Sequence, residues 1–190
     1  MKQARESLAG HWAISVGAFF IYQALLIGVR SIPKAGFLLY ILSIGPLSLG
    51  LAMFILSISR GQDTKFEKMF EGFKRYSTSL IASLLMALFI ILWSLLLIIP
   101  GIIAGLSYSM TYYIIADDAA MSASEAIKKS KKMMYGYKWK LFCLHFRFVG
   151  WMILCVLTLG IGFLWLIPYI QMAQAKFYED IKSSDTPVIA

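Results

Sequence analysis

The chain has 190 residues, of which 59% are hydrophobic and 15% charged, where soluble domains hold roughly half and a quarter. Those proportions exclude an ordinary soluble globular domain and predict an integral membrane protein. The formal net charge of +8 could suit nucleic acid, but its distribution along the chain assigns it to membrane topology instead.

In chain order, the first apolar run is His11 to Val29. It contains Tyr22 and Gln23 and leads into Arg30 rather than a small-residue cleavage site, so it reads as a retained span and not a cleaved signal. Ala35 to Ser59 is the second run. Tyr76 to Ala116 then gives 41 consecutive residues without a charged side chain, roughly 60 Å as one helix and about twice the hydrocarbon thickness. It must fold back, and the expected place is Ile99-Pro100-Gly101, where proline suits a new helix start and glycine a tight backbone. Leu141 to Thr158 and Ile161 to Lys176 form a last pair, divided at "LTLGIG". The expectation is a single integral membrane domain over 1–190 with spans at 11–29, 35–59, 77–99, 101–116, 141–158 and 161–176.

Six spans put the N-terminus, Arg60 to Arg75, Asp117 to Lys140 and the C-terminal tail on one face. These segments hold 15 of the 18 Lys and Arg residues, so the positive-inside rule places both termini in the cytoplasm.

Two connectors read as interfacial helices, at about 64–75 and 122–137. In the first, Phe66, Met69, Phe70 and Phe73 recur at i, i+3, i+4 and i+7, an aromatic stripe turned to lipid or the bundle. The second opens with a capping-box pattern, Ser122-x-x-Glu125, and sets Ala126, Ile127, Ser130, Met133, Met134 and Tyr137 opposite Lys128, Lys129, Lys131 and Lys132. Those four lysines are candidate contacts for anionic headgroups. "ARESLAGHW", "FEKMFEGFKRY" and "SKKMMYGYKWK" share a charged stretch followed by glycine and an aromatic or His. Gly10, Gly72 and Gly136 stand 62 and 64 residues apart, suggesting three repeated helical hairpins. The fold class expected is therefore all-α: a polytopic bundle of six transmembrane helices, as three hairpins with amphipathic interfacial connectors.

No catalytic or metal signature stands out: there is no HExxH, Walker glycine loop, GxSxG or zinc-spaced Cys/His set. Cys143 and Cys155 lie on one predicted helix and read as apolar filler. No enzyme activity and no cofactor are expected. Polar groups inside spans carry the remaining hypotheses. Arg147, about two turns into the fifth span, is a candidate ion-pair partner for Asp117 or Asp118. Tyr108 and Tyr112 of the fourth span and Gln171 of the sixth are candidates for a polar cavity. Gly101, Gly105 and Ser109 form a small-residue ridge for close helix packing.

"IPGII", "LSYSM", "YIIAD", "SASEAIKKSKKMMYGYKWKLF", "LTLGIGFLWLIPYI" and "AKFYEDI", in this order between Leu92 and Ile181, resemble the bacterial integral membrane family catalogued as domain of unknown function 975. This chain departs from the family at Ala116-Asp117-Asp118-Ala119, where members often read Ala-Asp-Asn-Pro, and at Arg147, where a small residue is usual. The resemblance thus assigns no shared role to Asp118 or Arg147. It implies a multi-pass protein of the bacterial cell membrane, from a Gram-positive organism, and no particular activity. A more distant likeness to the membrane domain of some glycerophosphodiester phosphodiesterases suggests an accessory role. The functional expectation is a non-catalytic accessory, assembly or protective component, with a transporter or permease subunit as the alternative. Its partners would be the bilayer, anionic lipids, and a membrane protein or a second copy, not nucleic acid.

Overall fold

A computed structural model describes residues 12–62, 66–158, 160 and 162–185. Regular structure among the described residues is wholly helical. The α-helices are α1 (Trp12–Arg30), α2 (Gly36–Ser59), α3 (Tyr76–Leu96), α4 (Ile98–Tyr108), α5 (Thr111–Asp117), α6 (Ala123–Met133), α7 (Lys138–Leu157) and α8 (Phe163–Asp185), with a 3-10 helix at Phe66–Arg75. Four stretches are long and apolar enough to cross a membrane: Gly36–Ser59, Phe66–Leu96, Ile98–Asp117 and Lys138–Leu157.

Helix α2 is the hub, in contact with α1, the 3-10 helix, α3, α5 and α8. Its second half, Gly45 to Ser59, is buried apart from the half-buried Ser48 and Met53, whereas Phe37, Leu38 and Leu39 in its first turn are exposed. Glycine explains how neighbours come so close. A Cβ on Gly50 would lie 1.7 Å from the Met69 carbonyl oxygen, and one on Gly72 would lie 2.0 Å from that of Pro46. Backbone thus packs on backbone where the 3-10 helix crosses α2.

The 3-10 winding changes the meaning of its sequence. At three residues per turn, positions three apart eclipse one another. Phe66, Met69 and Gly72 therefore share one edge, with Met69 and Gly72 buried against α2 and the Phe66 ring stacked 6.2 Å from Phe54. Phe70, Phe73 and Tyr76 share a second, exposed edge, and Lys68, Glu71 and Lys74 a third. The single aromatic stripe expected from α-helical spacing is split in two.

The reversal between α3 and α4 falls at Leu97, the one non-helical residue, with φ −162° and ψ 145°, and not at Ile99–Gly101. Pro100 occupies the first turn of α4, where its missing N–H has no helical partner to forgo. Gly101 allows the hairpin to close, since a Cβ there would meet the Ser94 hydroxyl at 2.1 Å. The rest of the expected ridge does not pack in this way: a Cβ on Gly105 would meet nothing within 4 Å, and Ser109 bonds the Leu106 carbonyl of its own helix.

The fourth expected span is broken at Ser109-Met110 into α4 and α5. Ser107, Ser109 and Thr111 each donate to a carbonyl three or four residues back, at 2.7, 2.8 and 2.7 Å. Such bonds compete with the helical ladder and bend it. Ser130 of α6 donates into the break, 2.8 Å to the Ser107 carbonyl. This, with buried Ala126, Ile127 and Met133, seats α6 against α3, α4 and α5. Its start carries both halves of the capping box: Glu125 N–H to Ser122 Oγ, and Ser122 N–H to Glu125 Oε2 at 3.0 Å.

The proposed repeat is not reflected in equivalent glycines. Gly72 sits in a backbone crossing, while Gly136 is exposed and makes a left-handed turn at φ 82°. Gly10 lies outside the described residues.

Candidate functional site: a charged network joining three helix ends

Asp117 closes α5, and its side chain is 12% exposed. It accepts from Arg60 at the end of α2 (2.6 Å), and from Tyr178 (2.7 Å) and Lys182 (2.6 Å) on α8. Arg60 also forks onto Glu179 of α8, at 2.7 Å from Nη2 and 3.0 Å from Nε. Lys176 donates to the Ser59 carbonyl and Arg75 to the Ile115 carbonyl, so two further basic side chains satisfy helix-terminal acceptors. Tyr178 stacks on Tyr113 at 5.5 Å. Nearby, Lys140 at the start of α7 reaches Asp180 at 3.3 Å.

Burial and hydrogen bonding act on Arg60 and Tyr178 of this network. Burial works against the charged Arg60 guanidinium, but its hydrogen bonds to Glu179 and Asp117 outweigh that and raise its pKa above the ordinary value. The Tyr178 hydroxyl is pushed up, first by burial and then by its bond to Asp117, so it remains a donor at neutral pH. Exposure of Arg60, Glu179 and Lys182 is between a third and a half. Each pair alone is therefore worth only about 0–1 kcal/mol; the significance lies in one carboxylate holding three donors from two helices.

A second polar cluster lies deeper. The Tyr22 and Ser48 hydroxyls are 3.3 Å apart, and Tyr112 interacts with Ser83 and Ser48. Four helices, α1, α2, α3 and α5, meet there through hydroxyl groups. On the opposite flank, His145 of α7 is 3.0 Å from the Leu141 carbonyl through Nδ1 and 2.8 Å from the Gln174 amide through Nε2. A neutral ring donating from Nδ1 and accepting at Nε2 satisfies both contacts.

The residues expected to line one polar cavity or form one ion pair are dispersed. Tyr108 is buried with its ring 6.0 Å from Phe89, and it lines a cleft that includes neither Tyr112 nor Gln171. Gln171 is half-buried on α8. Arg147 is exposed on α7 beside Trp139, Phe142, Cys143 and Phe146, away from Asp117, whose charge partners are Arg60 and Lys182. Lys128, Lys129, Lys131 and Lys132 are all exposed on α6. Arg60, Tyr178 and Lys182 were not singled out by sequence. The available signal was their common side: each ends or follows a span on the face that collects positive charge, and Tyr178 lies in "AKFYEDI".

An all-helical chain with several stretches able to cross a bilayer, closed at one end by ion pairs, defines the class of multi-pass membrane proteins. Residues 94–185 match the model of the family described as "Protein of unknown function (DUF975)", so this half of the chain carries that family's sequence pattern. The match covers the whole of α4 to α8 and contains Asp117, Tyr178, Glu179 and Lys182. No curated protein and no solved structure matches the chain.

Proposed function

We propose that this is a six-span protein of the bacterial cell membrane, with both termini cytoplasmic, that acts as a non-catalytic accessory, assembly or protective component. In this reading α1 and the apolar first half of α8 complete three hairpins, and the Asp117 network lies on the cytoplasmic side, where the positive-inside rule puts Arg60 and the α6 lysines. The observation that carries the role is where the polar side chains of the fourth and sixth spans point. Thr111 of α5 bonds the Tyr108 carbonyl of α4, the Ser107 carbonyl of α4 accepts from Ser130 of α6, Gln174 bonds His145, and Tyr178 bonds Asp117. These groups tie helices together, as a scaffold requires.

The Tyr22–Ser48–Ser83–Tyr112 cluster favours the second reading, a transporter or permease subunit, because hydroxyls from four helices could line a path. Cysteine labelling separates the two. In a chain freed of its native thiols by Cys143→Ala and Cys155→Ala, Tyr112→Cys and Gln171→Cys should resist a water-soluble maleimide applied to intact cells or inverted vesicles. Labelling from either side would overturn the scaffold reading in favour of transport. The scaffold reading also expects a stoichiometric membrane partner, or a second copy, to copurify from native membranes.

A further inference from the structure

One cleft combines features that the preceding reading does not use. It lies between the α3–α4 hairpin and the α6–α7 corner, has a volume of about 160 Å³, and is lined by Trp93, Pro100, Ile103, Ala104, Ser107 and Tyr108, with Lys131 and Lys138. Of the four lysines singled out on α6, only Lys131 lines it; Lys138, at the start of α7, joins it from across the Tyr135-Gly136 turn. Among the described residues the ion pairs use Arg60, Lys74, Lys140 and Lys182, so neither lining lysine has a carboxylate partner there. Among the described residues, no acidic one lines the cleft.

We infer that this cleft holds one acidic phospholipid, its phosphate between the Lys131 and Lys138 ammonium groups and part of one acyl chain along Trp93, Pro100, Ile103 and Ala104. The amphiphile follows from the lining, which places two positive charges beside a continuous apolar wall. A free anion would gain from the lysines but nothing from Trp93 or Ile103. A zwitterionic lipid would bring a quaternary ammonium to a site that offers two positive charges and no carboxylate to receive it. Location agrees: Lys131 and Lys138 lie in the basic segment Asp117 to Lys140, and the apolar wall extends from them along α4. The inference rests on the multi-pass reading above, but not on the scaffold role.

The test uses the full chain in nanodiscs of mixed phosphatidylglycerol and phosphatidylcholine, with retained lipid counted by native mass spectrometry. Wild type should keep one phosphatidylglycerol in preference to phosphatidylcholine. Lys131→Gln with Lys138→Gln should weaken that preference by about thirtyfold, the scale expected for two headgroup lysines. Lys129→Gln with Lys132→Gln, an equal charge change outside the cleft, should leave it intact. Ile103→Trp, which fills the cleft from its exposed rim, should remove the lipid with both lysines in place. Millimolar inorganic phosphate should not displace it. Equal loss in the two lysine pairs would overturn the inference in favour of a diffuse basic surface, and displacement by phosphate would overturn it in favour of a soluble anion. If alkaline carbonate strips the protein from membranes, the multi-pass reading itself fails. If the protein stays but shows no preference for phosphatidylglycerol, only the lipid site fails.

Discussion

The two ends of the bundle are built differently. At the charged end, Arg60, Asp117, Tyr178, Glu179 and Lys182 interlock, α6 packs on α3, α4 and α5, and the second half of α2 is buried among its neighbours. At the other end, Leu95 to Ile99 around the α3–α4 turn are 65–84% exposed, and Phe37 and Leu38 at the start of α2 are similarly bare. In water the second region would be a fault. In hydrocarbon it costs nothing, because lipid tails are as apolar as leucine and no hydrophobic force drives helices together. The lesson is that close packing here follows small residues and polar ties, not apolar content, and those concentrate on one side.

The largest effect is expected at the backbone crossing in the buried half. Gly50→Ala places a Cβ 1.7 Å from the Met69 carbonyl oxygen, and a backbone obstacle cannot rotate away. A loss of about 3 kcal/mol is expected, read as a lower unfolding temperature in detergent and a smaller monodisperse fraction. Gly105→Ala, in open space on α4, should instead gain about 0.5–1 kcal/mol from helix propensity. Similar losses at both sites would remove the asymmetry.

A charge on the lipid side comes next. Leu88 is exposed in the middle of α3, so Leu88→Lys should cost about 3 kcal/mol of membrane insertion, measured as the carbonate-resistant fraction of newly made protein. Leu97→Lys, at the turn, should cost less than about 1 kcal/mol if the turn reaches the headgroups. Equal costs would instead place the turn within the hydrocarbon.

Third is the network itself. Asp117→Ala removes three bonds from a mostly buried carboxylate and leaves Arg60 and Lys182 facing each other. Partial exposure of both cations moderates the penalty to about 2 kcal/mol, seen in thermal unfolding. Arg147→Gln, exposed on α7, should leave the unfolding temperature unchanged.

How much of this was legible in the sequence depends on which force decided it. The apolar runs gave the helices, because length and absence of charge are one-dimensional properties. The capping box at Ser122 was visible because its chemistry spans four residues. The turn at Leu97 was not, since Pro100 fits any position of a helix's first turn and sequence alone does not choose among them. The 3-10 winding of Phe66–Arg75 was hidden because its aromatic spacing also satisfies an α-helix; what selects the tighter form is the crossing of Met69 and Gly72 over Gly50 and Pro46. Asp117 was recognised as a site, but its partners lie 57 and 65 residues away, and only packing could prefer Arg60 to Arg147.

The smallest expected effect tests whether the charged end is stitched locally as well as across helices. Hydrogen bonds from Ser122 hold the exposed Glu125 carboxyl below its ordinary value of 4.5. A depressed carboxylate pKa adds stability that is complete above the unfolded value and is lost as pH falls through the folded one. The first turn of α6 should therefore exchange its amides slowly at neutral pH and faster as pH drops below 4.5, after correction for intrinsic exchange rates. Ser122→Ala should weaken the same turn by about 1 kcal/mol and remove most of this pH dependence. The amides around Asp117 should hardly respond to that substitution, since none of the network's bonds involves Ser122 or Glu125. If protection at Asp117 falls in step with the first turn of α6, the cap and the network form one cooperative unit and α6 acts as the keystone of the charged end.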